Sequence, residues 1–330
     1  MSSAIQIRKY RQKTQDLAEM VRVKNERSIA MDEPPSSTEE RLLRSFEQYI
    51  FGMEIERDVF LAWRETQCLG FGFCMMNGAY NTGYIDTNIA PAAVLSEVFP
   101  PLFAATEQHI RQTLGGDQLP REKPFFIDTF AQAHPVDEQK ISLLKDLGYF
   151  EVRRFYDMLI RFEPHMKPAT FPDGLEYRPF QRQHEARAYH MAYLESFRDH
   201  WGNISIDDFD QFAKHFDNPD FNESLWFGAW EGEEIAGVLF GEISPGHPQR
   251  GSVDLLGVRR PWRRRGLGTA LLRQAFHLFQ KHGFTEAELN VDAESRTNAV
   301  ALYQRAGMHT IKEELVLRKM IWGRPEDIVE

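Results

Sequence analysis

The sequence predicts an α+β fold of α/β/α layers, made of two tandem copies, each a mixed, mostly antiparallel twisted sheet with helices on both faces. Three observations predict it. A length of 330 residues suits two cores better than one. A set of matching segments recurs in the same order in both halves. Between the halves, Glu163 to Gly174 carries Pro164, Pro168, Pro172 and Gly174, which break both helix and strand. Hydrophobic residues at 42% and charged residues at 27% lie in the globular range, so both copies are expected to be folded almost throughout.

The matches begin with Ile5 to Tyr10 and Leu175 to Phe180, two strand-like alternations with Arg8 and Arg178 in the same place, each leading into a helix-period stretch. Next, Phe60-Leu61-Ala62-Trp63 runs to Gly70, as Phe227-Gly228-Ala229-Trp230 runs to Gly237, each spanning a hairpin. Last, Leu143 to Tyr149 mirrors Leu302 to Met308, a helix end closed by Gly148 or Gly307 before another strand. Each half then reads strand, helix, helix, a run of strands, helix, strand, helix, strand. The expected domains are 1–163 and 174–330.

The formal net charge of −10 argues against nucleic acid and anionic membranes as partners, so any phosphate binding must be local. No apolar run approaches the roughly 20 residues of a membrane span, and Met1 to Tyr10 lacks the apolar core of a signal peptide. A cytoplasmic location is expected. Cys68 and Cys74 are the two cysteines and lack the spacing of a disulfide framework or a zinc site, so no metal is expected and both read as buried apolar residues.

The most informative stretch runs from Ser252 to Phe276. Ser252 to Val258 reads as a strand, Arg259 to Arg265 as a basic loop, and Gly266-Leu267-Gly268-Thr269 as the start of an amphipathic helix. Gly266 and Gly268 let backbone N–H groups face a ligand without an intervening Cβ, and the helix N-terminus adds partial positive charge. Arg259, Arg260, Arg263, Arg264, Arg265 and Arg273 surround that end. Like charges beside a positive dipole cost stability unless an anion joins them, which points to a diphosphate; the other reading is a solvated arginine-rich loop. The Gly-Lys-Ser/Thr ending of a P-loop and the three-glycine dinucleotide fingerprint are both absent.

Arg263-Arg264-Arg265-Gly266-Leu267-Gly268 resembles the Gln/Arg-x-x-Gly-x-Gly/Ala signature of the GNAT superfamily of N-acetyltransferases. Val291 to Ser295, Asn298-Ala299, Leu302-Tyr303 and Gly307-Met308 resemble the second half of that family's cofactor site, and with the duplication the chain is similar to the tandem GNAT type. The resemblance implies acetyl-CoA as cofactor and direct transfer of an acetyl or other short acyl group to a primary amine of a small molecule or peptide. It implies that Val253 to Val258 and Ala287 to Val291 splay apart to admit the pantetheine arm. Leu256, Gly257 and Val258 then offer backbone groups, the Val258 N–H polarising the thioester carbonyl. Arg263, Arg264, Arg265, Gly266, Leu267, Gly268 and Thr269 hold the diphosphate, and Ser295 or Asn298 reaches the pantetheine amides, although the family often has Asn where Ser295 stands.

By the same resemblance Tyr303 is the general acid that protonates the departing thiolate; otherwise it is a Tyr packed on the sheet. Ser252 stands where some relatives carry a catalytic Glu. Asp254, placed by period two on one face with Ser252 and Leu256, is the candidate base, with a water chain or a simple strand-end salt bridge as the other readings. Glu195 to Gly202 falls where the family's acceptor pocket is lined, giving His200 a substrate-side or merely a packing role. The first copy has Leu144 where Tyr303 stands, and Ile89 to Glu97 contains neither glycine nor arginine, so it is expected to have lost acyl-CoA binding. The leading expectation is therefore an N-acetyltransferase acting on an amine, as monomer or homodimer, with a non-catalytic acyl-CoA sensor or scaffold as the alternative.

Overall fold

A computed structural model describes residues 4–11, 14–47, 53–78, 80–198, 200–201, 207–324 and 326–327. In chain order the first half contains β1 (Gln6–Lys9), α1 (Thr14–Ala30), α2 (Glu39–Glu47), α3 (Ile55–Asp58), β2 (Val59–Arg64), β3 (Gln67–Asn77), β4 (Thr82–Ile89), α4 (Leu95–Gln112), β5 (Phe125–Gln132), α5 (Glu138–Asp146) and β6 (Phe150–Arg161). The second contains β7 (Glu176–Pro179), α6 (Arg182–Phe197), α7 (Phe209–Ala213), β8 (Phe227–Glu231), β9 (Glu234–Ile243), β10 (Arg250–Val258), α8 (Leu267–Lys281), β11 (Glu286–Asp292), α9 (Ala299–Arg305) and β12 (His309–Trp322). The alternation read from the sequence is this order, except that the first half carries the additional short helix α3.

The chain divides into two compact units, one of residues 1–154 with 313–330 and the other of residues 155–312. The last strand of each sequence half therefore contributes to the sheet of the other half. In the first unit the strand order is β1-β2-β3-β4-β5-β12, and β12 pairs antiparallel with β5 from Glu314↔Gln132 to Trp322↔Phe125. In the second it is β6-β11-β10-β9-β8-β7, with β6 antiparallel to β11 from Phe155↔Asp292 to Arg161↔Glu286. Each sheet is antiparallel except for one central pair, β4–β5 in the first unit and β10–β11 in the second.

Helices cover both faces of each sheet. In the first unit α4 buries Val98, Phe99, Leu102, Phe103 and Ile110 on one face, at helical spacing, and α1 buries Leu17, Met20 and Val23 on the other. In the second unit α8 buries Leu267, Leu271, Ala275, Phe276 and Phe279 against Ala287, Leu289 and Val253. The opposite face is an aromatic layer of Tyr189, Phe212, Phe216, Trp226 and Phe240, with the Trp226 and Phe240 rings stacked at 3.8 Å. Asp128 and Arg318, opposite each other on β5 and β12, form a buried two-pronged ion pair at 2.7 and 2.8 Å. Cys68 and Cys74 are both free and buried, and burial pushes the Cys68 thiol up to about 12. Among the described residues no helix is long and apolar enough to cross a membrane, and no cluster of His, Cys, Asp and Glu has the make-up to hold a metal.

Candidate active site

The site forms where two neighbouring parallel strands part. β10 and β11 pair only over Arg250↔Glu286, Gly251↔Ala287 and Ser252↔Glu288; beyond Ser252, β10 stays with β9 and leaves β11. Arg259 N–H donates to Ala236 O at 3.0 Å, so by strand alternation the N–H and C=O of Val258 and Leu256 point away from β9, to the side that β11 has left. Two strand-edge residues thus face an opening, as pantetheine pairing requires.

The opening ends at α8. Gly266 caps this helix in the left-handed region (φ 84°), preceded by Arg264 in the same region (φ 62°), and no side chain caps the helix. The first-turn N–H groups, which have no intrahelical partner, therefore point outward. A Cβ built on Gly268 would lie 3.1 Å from the Leu302 side chain and 3.9 Å from those of Leu256 and Val258, so bare backbone at Gly268 joins the start of α8 to both β10 and α9. An anion-binding helix start and a free strand edge side by side fit a diphosphate followed by an amide-bearing arm.

The arginines divide. Arg259 donates to Glu195 at 2.6 Å and to Ile235 O at 2.8 Å; Arg263 donates to Val258 O and Ser196 O, both at 3.0 Å; Arg265 reaches Glu231 at 3.3 Å. Arg263 therefore clasps the end of β10 to the end of α6. Arg264 and Arg273 are exposed with no ion-pair partner among the described residues. Sequence reading grouped these side chains by position, whereas their acceptors come from α6, β8 and β9.

Tyr303 lies on α9, 9% exposed, and burial pushes its hydroxyl up to about 12, so the phenol keeps its proton across the neutral range. No hydrogen bond to that hydroxyl occurs among the described residues. Asn298 starts α9 in the left-handed region without capping it, and Ser295 Oγ lies 2.9 Å from Thr297 Oγ1. On the α6 side, Gly257 packs so closely that an added Cβ would sit 2.8 Å from Ser196 Cβ and 3.4 Å from the Phe197 ring; His200 stacks on Phe197 at 5.1 Å. Ser196 Oγ is buried without a hydrogen-bond partner among the described residues. Asp199 and Gly202 of the acceptor-side segment lie outside the described residues.

At Asp254 the period-two expectation fails. The β9–β10 register slips between Val253 and Leu255, making Asp254 a bulge. Leu255 then packs with the aromatic layer and Leu256 with the α8 side, whereas Ser252, next to Gly251 that faces Phe279, points away from α8, so Asp254 cannot share one face with both Ser252 and Leu256. Asp254 is reached by solvent, yet enough protein surrounds it that desolvation raises its carboxyl above the ordinary carboxylate range, with His215 acting the other way. The sequence reading passed over Glu242 on β9. Half-buried opposite Ser252, its carboxyl is pushed up to about 8 by burial first, then by Asp254, Asp220 and Glu288. Only the hairpin register, set by the turn 244–249, would have revealed it.

The first unit repeats the parting of strands without the loop. β4 and β5 pair from Thr82↔Phe126 to Ile85↔Thr129 and then separate, but Lys140 on α5, 2% exposed, directs its ammonium to Thr87 O on that edge at 3.4 Å. Leu144 is fully buried on the same helix.

Residues 182–308 match the Acetyltransferase (GNAT) family model. A mycothiol acetyltransferase of Streptomyces scabiei is 29% identical over 170 residues, 51% of this chain and 53% of that protein. One from Corynebacterium glutamicum is 33% identical over 90 residues, 27% of this chain and 30% of that protein. The chain thus spans about half the length, or less, of these relatives. Over nearly all of both chains, the fold matches a GCN5-related N-acetyltransferase from Sphaerobacter thermophilus, with a TM-score of 0.78, 24% identity and coverage of 97% and 96%. It likewise matches a tandem GNAT protein from the clavulanic acid biosynthesis pathway, with a TM-score of 0.71, 11% identity and coverage of 97% and 99%. The chain has the tandem GNAT fold, and residues 182–308 of it match the model of the GNAT acetyltransferase family.

Proposed function

We propose that this chain is an N-acetyltransferase that moves an acetyl group from acetyl-CoA directly to a primary amine of a small molecule or peptide, with the chemistry in the second unit. The observation that carries this reading is the uncapped start of α8 standing beside the outward-facing edge of Leu256 and Val258. Bound acetyl-CoA would supply the activated thioester. Backbone amides from Arg263 to Thr269 would hold the diphosphate, with Arg264 free to add charge. The Val258 N–H, fixed by its strand, would polarise the thioester carbonyl without reorganising. Tyr303, with a protonated and unengaged hydroxyl, is the proton donor to the departing thiolate. His200 and Ser196 border the amine side. Ser295 and Asn298 border the arm. The first unit, its strand edge taken by Lys140, supports the second without binding acyl-CoA.

The names of the relatives make acetylation of the mycothiol type the first acceptor chemistry to test. Calorimetry with acetyl-CoA, followed by thiol release with a panel of amines, tests the reading. Absence of binding refutes it, and binding without transfer to any amine identifies an acyl-CoA sensor instead.

A further inference from the structure

Three strands meet in register at the point where the opening begins: Glu242 on β9 pairs with Ser252 on β10, which pairs with Glu288 on β11. Cross-strand partners share a face. Gly237 and Gly241 face Leu271 and Phe279 of α8, so Glu242, of opposite parity, points to the α6 and α7 side, where Ser196 and His200 lie. The bulge brings Asp254 out of the β9 ladder just beyond.

The charged groups around this point are not equivalent. Glu288 is neutralised by Arg250 at 2.8 Å and accepts a hydrogen bond from Ser244; Arg250 also holds Glu286. His215 Nδ1 donates to Phe212 O at 2.9 Å and favours the ionised form of Asp254, while Asp220 disfavours that of Glu242. Glu242 and Asp254 alone among these have neither hydrogen bond nor ion pair among the described residues.

We propose that Glu242 and Asp254 act together as a carboxyl pair that takes the proton from the acceptor's ammonium and so frees the amine to attack the thioester, an inference that rests on the transferase reading above. The balance is complete. The ammonium gives one proton to the pair, the freed nitrogen bonds to the acetyl carbon as the carbon–sulfur bond breaks, the Tyr303 hydroxyl proton goes to the thiolate, and the proton that the nitrogen sheds on attack returns to the Tyr303 oxygen through solvent. Burial, and for Glu242 also the charge of Asp254, raises both carboxyls above the ordinary carboxylate range, Glu242 to about 8, so the pair can accept a proton near neutrality.

The test compares two nucleophiles on the purified full chain with acetyl-CoA: spermidine, whose amines are protonated at neutral pH, and hydroxylamine, which is largely uncharged there. Glu242→Gln and Asp254→Asn are each expected to slow spermidine acetylation by roughly 100-fold or more and to remove the rising limb of its pH profile, with hydroxylamine acetylation much less affected. Acetyl-CoA affinity by calorimetry is expected to be unchanged. Spermidine acetylation at the wild-type rate in both variants, or an equal fall for both nucleophiles, overturns the pair and leaves the transferase reading standing. A wild-type chain that binds acetyl-CoA and acetylates neither of these nor any other amine of the panel overturns both.

Discussion

Glu242→Gln carries a consequence for stability that needs no substrate. The folded protein raises this carboxyl from its ordinary 4.5 to about 8. Between those values the folded state keeps a proton that the unfolded chain releases, so stability must fall as pH rises through the window. Expressed in full, the shift corresponds to about 5 kcal/mol at 1.36 kcal/mol per pKa unit. Glu242 is only half-buried and shares its repulsion with Asp254, so solvent screening reduces the effect to about 1–3 kcal/mol. Glutamine has the shape of the protonated acid and does not titrate. Thermal melts of wild type and variant at pH 5 and pH 8 isolate the effect as a difference of differences, in which other titrating groups cancel. The two proteins should melt together at pH 5, and the variant should melt higher by roughly 3–10 °C at pH 8. Parallel melting at both pH values would show that Glu242 is not held in the crowded carboxyl environment that its register implies.

Gly268→Asp places a carboxylate at the start of α8 and a Cβ 3.1 Å from Leu302; calorimetry should show acetyl-CoA affinity lost by roughly 100-fold or more, with Gly268→Ala losing less, and an unchanged affinity refutes the diphosphate site. Tyr303→Phe should leave that affinity intact while slowing acetyl transfer by roughly 100-fold, and an unchanged rate removes Tyr303 from the chemistry. Arg263→Ala severs the two 3.0 Å bonds that tie β10 to α6, so the KM for the amine should rise by about 10-fold while acetyl-CoA affinity moves little. Asp128→Ala leaves Arg318 buried without its partner, and guanidinium denaturation should show a loss of about 3–5 kcal/mol in the first unit; a loss below about 1 kcal/mol would refute the burial of that pair.

The sequence made the fold legible because duplication repeats its own evidence: Gly70 and Gly237, or Gly148 and Gly307, punctuate matching elements in both halves. The glycines of the α8 loop were equally plain, since backbone demands on Gly266 and Gly268 are local. What stayed hidden depends on neighbours distant in sequence. Arg263 reads as a diphosphate ligand by its position in the loop, while the acceptors of its side chain and of Arg259, Ser196 O and Glu195, come from a helix 67 and 64 residues earlier. Asp254 follows simple alternation only if the ladder does not slip, and Glu242 gains its place only from the register that sets Ser252 opposite it. Period and propensity describe one segment at a time, whereas register belongs to two.

Residues 313–322 complete the sheet that begins with β1, and this bears on the order in which the chain assembles on the ribosome. The first 154 residues emerge with β5 lacking its antiparallel partner, and that partner is synthesised on the order of ten to thirty seconds later at bacterial or eukaryotic elongation rates. During that interval β5 presents an unsatisfied, largely apolar edge, the kind of surface that recruits chaperones or neighbouring nascent chains. Slowing translation late in the message should therefore lower soluble yield more than slowing it early.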